Sequence, residues 1–182
     1  MVGDLDREFN RVRVLESKPI YDKHGLVIIK DILEFADGST WEYVYFKSRG
    51  TVAVAAFTED GKLILTRQYR HPLRKVVYEL PGGAIEEGET PSQAALRELK
   101  EETGYTAESL ELIGRFSRGP GSQAVVEIFL AKNVKRINDF DSNEILEVEL
   151  MDLNLLLQRI LKGECFDAAL IIAVLLISTR NR

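Results

Sequence analysis

Residues 83–105 read GAIEEGETPSQAALRELKEETGY, and this stretch decides how the chain around it folds. Thr90 is a good N-cap, Pro91 suits the first helical position, and Gln93 completes a capping box. Gly104 follows the last turn, where a left-handed C-cap favours glycine. The stretch therefore predicts a helix that begins after Thr90 and ends before Gly104.

Three acids lie on one face of this predicted helix. At about 100° per residue, Glu98, Glu101 and Glu102 fall within about a third of its circumference. Like charges at these spacings repel by roughly 0.2–0.5 kcal/mol per pair, and the C-terminal end of a helix disfavours anions. Arg97 lies one turn before Glu101 and is expected to hold it through an i,i+4 pair. The acids add no stability, so we expect a cation there, with Mg²⁺ as the first candidate because it prefers carboxylate oxygens.

The segment before the helix, Glu79-Leu80-Pro81-Gly82-Gly83, reads as a strand that ends in a tight turn. Glycine at such a turn lets backbone carbonyl groups approach a ligand closely. We therefore expect the turn to lie beside a ligand.

The composition is that of one domain, or of one domain with a small appendage, because the chain has 182 residues and 45% hydrophobic content. Its net charge is −5 and it has no basic cluster, which argues against binding to nucleic acid or to an anionic membrane. The single cysteine, Cys165, excludes an intrachain disulfide framework. Residues 1–10 lack a signal-peptide core, and the apolar run 169–178 is too short to span a bilayer. We expect a cytoplasmic protein.

The first part of the chain, residues 11–47, alternates apolar and polar residues in three runs separated by turn signals. This pattern predicts a small three-stranded antiparallel appendage. From Arg49 onward the pattern is mixed. We therefore divide the chain into residues 1–48 and residues 49–182.

The second part combines strands and helices. Glu59-Asp60-Gly61, between two apolar runs, is typical of a β-hairpin. Further strands are expected near residues 110–117, 124–131 and 145–150, with a polar loop at 133–144 and helices at about 152–162 and 167–180. This order supports a mixed α and β fold.

The residues from Gly83 onward resemble the Nudix box, G-x5-E-x7-R-E-U-x-E-E-x-G-U, in which U is a bulky aliphatic residue. The matching positions are Gly83, Glu89, Arg97, Glu98, Leu99, Glu101, Glu102 and Gly104. Tyr105 departs from the pattern at its last position, which packs rather than reacts. The resemblance implies the fold of that family, an α/β/α sandwich around a mixed sheet, here preceded by the N-terminal strands.

The resemblance also implies a metal site. In Nudix enzymes the positions of Glu98 and Glu102 bind divalent cations, together with the carbonyl group before the first box glycine, here that of Gly82. Glu101 occupies the position of an additional ligand or positioning acid. The cofactor implied is Mg²⁺, with Mn²⁺ as a substitute, and the reaction is attack of an activated water on a P–O–P linkage.

A fourth acid is expected from the loop Asp141-Ser142-Asn143-Glu144. By resemblance to ADP-ribose pyrophosphatases, Glu144 fits a metal-binding and catalytic position. The general base proposed for those enzymes falls on Ser142, which cannot serve, so Asp141 and Glu144 remain candidates. Glu127 is a further candidate, although its place within a strand pattern favours a structural role.

The substrate-binding residues are expected from the same subfamily. Pro120 lies sixteen residues beyond the last box glycine, where ADP-ribose pyrophosphatases carry a proline. Arg70 matches an arginine that they place on the diphosphate, and Arg67 either joins it or forms a surface ion pair. Glu79 and Trp41 complete the set, with Trp41 stacking on a base or packing in a dimer.

Three functions remain open from the sequence. The favoured one is Mg²⁺-dependent hydrolysis of ADP-ribose to AMP and ribose 5-phosphate. The alternatives are the same chemistry on GDP-mannose or another nucleoside diphosphate sugar, and a catalytically silent Nudix domain that binds a nucleotide as a regulator. In the favoured subfamily the N-terminal strands exchange between subunits, so we expect a homodimer that acts on a small molecule and binds neither nucleic acid nor membrane.

Overall fold

The computed structural model describes residues 12–23, 25–140 and 145–180. Over these ranges the chain forms nine strands and three α-helices. It divides into two compact units. The first comprises the chain up to Ser48 together with Ser117–Ala124, and the second comprises Arg49–Phe116 together with Val125–Arg182.

The first unit contains a three-stranded antiparallel sheet, as the sequence predicts. Its strands are β1 (Arg13–Lys23), β2 (Leu26–Glu34) and β3 (Thr40–Lys47), paired in that order. In the turn between β2 and β3, Gly38 has φ 80° and the Asp37 carboxylate accepts a hydrogen bond from the Ser39 backbone N–H at 2.9 Å. Short polar residues and a glycine therefore close this hairpin.

The loop Ser117–Ala124 is bonded to strand β3 within the same unit. The Phe46 N–H donates to the Gly121 carbonyl at 3.0 Å, and the Gln123 N–H donates to the Phe46 carbonyl at 2.9 Å. The Tyr43 hydroxyl donates to the Pro120 carbonyl at 2.6 Å. The boundary drawn at residue 48 from the sequence leaves this loop out of the first part of the chain. Nothing in the local pattern of the loop indicates that it pairs with a strand so far away in the chain.

The second unit contains two further sheets. Its strands are β4 (Thr51–Ala55), β5 (Leu63–Arg70), β6 (Lys75–Glu79), β7 (Tyr105–Ser117), β8 (Val125–Arg136) and β9 (Ile145–Met151). One sheet has the order β4-β8-β7, with β4 and β8 parallel, and the other has the antiparallel order β6-β5-β9. A short 3-10 helix, His71–Leu73, connects β5 to β6.

Three α-helices complete the second unit. They are α1 (Pro91–Thr103), α2 (Leu153–Leu161) and α3 (Ala168–Arg180). Helix α1 has the predicted caps: Thr90 Oγ1 accepts from the Gln93 N–H at 3.3 Å, and Gly104 has φ 74°. Within the ranges that the structure describes, no helix is long and apolar enough to cross a membrane.

The expected hairpin around Glu59-Asp60-Gly61 is only partly present. The turn exists, because the Thr58 N–H donates to the Lys62 carbonyl at 2.9 Å. A single bridge between Phe57 and Leu63 connects the segments on either side of the turn. The strands β4 and β5 nevertheless belong to different sheets. Strand β4 is buried along most of its length and pairs in parallel with β8, as apolar strands covered on both faces commonly do.

Strands β7 and β8 are longer than the sequence predicts. Strand β7 starts directly after the helix cap, and β8 continues to Arg136. Val134 is buried between the exposed residues Asn133 and Lys135. The strand therefore continues into what reads as a polar loop, and Val134 gives this part of it a buried residue.

Helices cover both faces of the sheet to which β4 belongs. Val52 and Val54 pack in a cluster whose helical members come from α1, namely Ala94, Ala95 and Leu99. Ala53 and Ala55 pack in a second cluster whose helical members come from α2 and α3, namely Leu156, Ala169, Leu170, Ala173, Val174 and Ile177. Because successive strand residues point to opposite faces, β4 lies between two helical layers, and the expected α/β/α arrangement is confirmed.

We expect Tyr43→Phe to loosen the loop Ser117–Ala124 without unfolding the sheet. The change removes only the hydroxyl that donates to Pro120. One such bond contributes about 1 kcal/mol, which corresponds to about a fivefold change in local opening. Hydrogen exchange measured by mass spectrometry should therefore be about fivefold faster in peptides from this loop.

Tyr45→Phe is the matched control, because the electrostatic partner of the Tyr45 hydroxyl is Asp31 and not the loop. It should leave exchange in the loop unchanged. Equal protection in the wild type and in Tyr43→Phe would show that this hydroxyl does not hold the loop.

Candidate active site

The glycine turn between β6 and α1 lies directly against the backbone of β4. The Val52 N–H donates to the Gly83 carbonyl at 2.9 Å, and the Val54 N–H donates to the Pro81 carbonyl at 2.9 Å. A Cβ atom on Gly82 would collide with the Val52 carbonyl oxygen. Only glycine therefore allows the turn to lie this close to the strand.

The other side of the turn faces two carboxylates of α1. The Gly82 N–H donates to Glu102 Oε2 at 2.9 Å, and a Cβ atom on Gly83 would overlap the Glu98 carboxylate. Glu98 and Glu102, one helical turn apart, thus lie beside consecutive glycines. The sequence led us to expect the Gly82 carbonyl at a metal site, and the structure adds a direct contact between its N–H and Glu102.

Glu102 is a buried carboxylate whose negative charge is only partly compensated by the groups around it. Its pKa is raised to about 7 by burial and by the charges of Glu98 and Glu79, while the Gly82 N–H and Arg70 act in the opposite direction. Burial also raises the pKa of Glu98, against the influence of Arg97. Negative charge is therefore concentrated at the turn beyond what the protein neutralises.

Arg97 holds the acidic helix to the loop before it. Its Nε and Nη2 groups donate to the two oxygens of Glu89 at 2.9 and 3.1 Å, and Nη2 also donates to the Ala84 carbonyl at 3.1 Å. Its Nη1 group donates to Glu98 at 2.8 Å and to Glu101 at 3.3 Å. The expected i,i+4 pair of Arg97 with Glu101 is therefore present, and the structure adds shorter contacts of Arg97 with Glu89 and Glu98. These acids raise the pKa of the Arg97 guanidinium.

Arg70 and Glu79 form a two-point ion pair next to this turn. Arg70 Nε donates to Glu79 Oε1 at 2.6 Å, and Nη2 donates to Oε2. Glu79 is buried at the end of β6, three residues before Gly82. Bonding to Glu79 raises the pKa of the Arg70 guanidinium, and the charges of Asp167 and Glu102 add to this effect. The sequence assigns both residues to the substrate and misses that they bind each other, which only the strand register between β5 and β6 reveals.

Arg67 lies on the face of β5 that α2 and α3 cover. Alternation along the strand places it with Leu65, which packs in the cluster of those helices, and not with Ile64, which packs with α1. Its Nη1 group donates to Glu147 at 2.7 Å, and its guanidinium carbon is 5.6 Å from the centroid of the Tyr78 ring. This geometry favours the ion pair that the sequence left open and gives no support to a role on the diphosphate.

The remaining predicted residues lie on separate elements. Trp41, 65% exposed on β3, and Pro120 belong to the first unit. Glu101 lies on α1 with half of its side chain exposed. Glu127 receives a contact of 3.4 Å from Arg115, in keeping with a structural role. Predictions for Asp141, Ser142 and Glu144 fall outside the described residues.

The residues around the turn fit a divalent cation in part. Across residues 12–23, 25–140 and 145–180, no three histidine, cysteine or carboxylate side chains converge closely enough to enclose a metal ion. Mg²⁺, however, is commonly bound by one or two carboxylates and completes its shell with water and substrate phosphate oxygens. Glu98 and Glu102 supply such a pair, and the raised pKa of Glu102 shows that the site favours added positive charge.

Comparison with known proteins places this geometry in context. The pattern of the NUDIX domain matches residues 47–170. An ADP-ribose pyrophosphatase of Bacillus subtilis (strain 168) is 34% identical over 160 residues, which cover 86% of this chain and 86% of that protein. The methanol dehydrogenase activator of Bacillus methanolicus is 31% identical over 166 residues, which cover 89% of this chain and 90% of that protein.

A solved structure shares the fold. The crystal structure of an ADP compounds hydrolase superposes with a TM-score of 0.80 over 93% of each chain, at 22% sequence identity. At this identity the likeness concerns the fold alone.

We expect Glu102→Gln to be more stable than the wild type in EDTA above pH 7. The pKa of Glu102 rises from 4.5 to about 7 on folding. At this position the folded wild type therefore binds more protons than the unfolded chain, and the contribution of Glu102 to stability falls by roughly 3 kcal/mol as pH rises from about 4.5 to about 7. Chemical denaturation across this pH range should show the advantage of the variant grow with pH.

Adding Mg²⁺ should reduce or reverse that advantage, because the cation binds the wild-type carboxylate. Glu87→Gln removes the same charge from a side chain that is 87% exposed and serves as the control. A difference between Glu102→Gln and wild type that does not change with pH would contradict the assignment.

Proposed function

The chain belongs to the Nudix family, and from that premise we propose that it is an Mg²⁺-dependent pyrophosphohydrolase that cleaves ADP-ribose to AMP and ribose 5-phosphate. The observation that carries the proposal is the pair of carboxylates, half-buried Glu98 and buried Glu102, against the Gly82–Gly83 turn. The substrate class is supported by the B. subtilis relative, whose name describes this activity and which aligns over most of both chains.

The side chains around the turn have separate tasks in this reaction. Glu98 and Glu102 hold the cation, with the Gly82 carbonyl, Glu101 and Glu144 as further proposed ligands. Mg²⁺, with Mn²⁺ as a substitute, supplies positive charge that neutralises the diphosphate and lowers the pKa of a water molecule. Arg97 orients the metal-binding helix by fixing Glu98 to the preceding loop.

Binding and proton transfer involve other residues. The exposed part of the Arg70 guanidinium binds diphosphate oxygens, for which its planar donor geometry is suited. Asp141 and Glu144 are the proposed sources of the general base. Trp41 and Pro120 are proposed to contribute to the nucleoside side of the substrate. Positioning and neutralisation of charge account for most of the catalysis in such phosphoryl chemistry.

A second candidate function is regulation through nucleotide binding. It is favoured by the likeness to the B. methanolicus protein, whose name describes an activator of another enzyme. The complete set of box carboxylates in this chain favours hydrolysis, because a domain that only binds has no need of them. A cytoplasmic location is part of the proposal and is supported by the single cysteine, which cannot form an intrachain disulfide.

The decisive assay measures release of phosphate monoesters from ADP-ribose, GDP-mannose, UDP-glucose, NADH and nucleoside triphosphates, with Mg²⁺ and with EDTA. We expect ADP-ribose to be the best substrate and EDTA to abolish turnover. Glu98→Gln and Glu102→Gln should each lower kcat by at least about 100-fold, because each removes a cation ligand. Glu111→Gln, which removes an exposed carboxylate on β7, is the control.

Preference for GDP-mannose would keep the mechanism and change the substrate. Absence of cleavage, with nucleotide binding intact, would shift the assignment to a regulator. Near-normal turnover in Glu102→Gln would contradict the metal assignment.

We further propose that the chain is a homodimer that associates through the first unit. Its strands expose several large apolar side chains, namely Val14, Leu15, Ile20, Tyr21, Trp41, Val44 and Phe46. Exposed apolar area of this kind commonly marks a protein interface.

The double variant Val14→Asp/Ile20→Asp should sediment as a monomer in analytical ultracentrifugation, whereas the wild type should sediment as a dimer at micromolar concentration. Charges on β1 would have to be buried in the interface, which is unfavourable. Leu161→Asp, at a 77% exposed position of α2, should stay dimeric. A wild type that is monomeric at all concentrations would refute the proposal.

A further inference from the structure

We propose that Glu79 is a positioning residue, which fixes the guanidinium group of Arg70 for the diphosphate and does not contact the substrate itself. The inference rests on the proposed function and changes the role that the sequence suggests for Glu79. It assigns substrate contact to Arg70 alone within this pair.

The two members of the pair differ in their access to solvent. The Glu79 side chain is 12% exposed, whereas the Arg70 side chain is 43% exposed. Both oxygens of Glu79 accept from Arg70. The acid therefore has its main partner inside the protein, and the arginine is the member that can reach a bound anion.

The contact fixes the orientation of the guanidinium as well as its charge. The Nε and Nη2 groups bond Glu79 along one edge of the planar group. The Nη1 group takes no part in the pair. A two-point contact of this kind prevents rotation about the end of the side chain, so the remaining donors point in one direction before the substrate arrives.

The backbone links this pair to the metal-binding turn. In the register of β5 and β6, Thr66 pairs with Glu79 and Arg70 pairs with Lys75. The Arg70 side chain therefore extends back along the hairpin to reach Glu79. Three residues after Glu79, the Gly82 N–H bonds Glu102. The segment from Glu79 to Gly82 thus bonds both the Arg70 guanidinium, which is proposed to bind phosphate, and the Glu102 carboxylate, which is proposed to bind metal. The backbone of this segment therefore sets the spacing between the two groups.

A buried ion pair can also serve stability alone, because removal of one partner leaves the other without compensation. The two roles differ in their effect on ligand binding. If Glu79 acts through Arg70, its replacement has no further effect on binding once Arg70 is absent. A stability role alone would leave the affinity for ligand unchanged in both backgrounds, and a direct contact of Glu79 with substrate would lower it in both.

The experiment is a double-mutant cycle with Glu79→Gln, Arg70→Ala and the double variant. Two quantities are measured: kcat and KM for ADP-ribose with Mg²⁺, and the affinity for ADP with Mg²⁺ by calorimetry. We expect Glu79→Gln to raise KM about 10-fold with a smaller change in kcat, and to weaken ADP binding by a similar factor. In the Arg70→Ala background we expect Glu79→Gln to change neither quantity by more than about twofold.

Arg180→Ala is the matched control. Arg180 forms a 2.7 Å pair with Glu111, and its side chain is 45% exposed, close to the value for Arg70. This variant should leave KM and ADP affinity unchanged. Equal effects of Glu79→Gln with and without Arg70 would overturn the inference.

Conservative variants keep the test open if Glu79→Gln does not fold. Glu79→Asp retains the charge and should recover most of the affinity for ADP, whereas Arg70→Lys retains a charge but not the two-point contact and should behave like Arg70→Ala. If the wild type does not cleave ADP-ribose, the proposed function fails, and the cycle on ADP affinity still decides the role of Glu79. Arg70→Lys with wild-type affinity for ADP would also overturn the inference.

Discussion

The lack of space for any side chain at Gly82 and Gly83 is the constraint on which the site depends. The backbone of β4 lies on one side of this turn, and the carboxylates of α1 lie on the other. A methyl group at Gly82 would push the turn away from β4, and one at Gly83 would displace the Glu98 carboxylate. The turn thus fixes the distance between the central strand and the acidic helix, and it brings Glu98 and Glu102 against the same stretch of backbone.

Concentrating negative charge at this turn opposes folding, and the protein compensates for it with two arginines. Arg97 lies between the loop and the helix and binds Glu89 and Glu98. Arg70 is bound to Glu79 and also lowers the pKa of Glu102. The compensation is incomplete, since the pKa of Glu102 remains raised to about 7. An excess of buried negative charge is unfavourable for the protein alone and favourable for a site that attracts cations.

Local features of the sequence predicted local features of the structure. The caps of α1, the three N-terminal strands and the acidic face of the helix all follow from residue types at short spacing. Pairing over long distances was less predictable: strand alternation indicates which residues share a face but not which sheet the strand joins. The partner of β4 and the face on which Arg67 lies therefore required the structure. The same limit applies to the Arg70–Glu79 pair, whose members are nine residues apart and meet because of the register of β5 and β6.

The membership of Ser117–Ala124 in the first unit bears on how such a protein can change in evolution. The chain passes between the two units after Ser48, after Phe116 and after Ala124. Fusion of three strands to the start of an ancestral domain would not reproduce this arrangement unless the connection between β7 and β8 lengthened as well. Loss of those strands would in turn leave the Gly121 and Pro120 carbonyls without their partners on β3. The length of the N-terminal segment and the length of this connection should therefore vary together among descendants of a common ancestor.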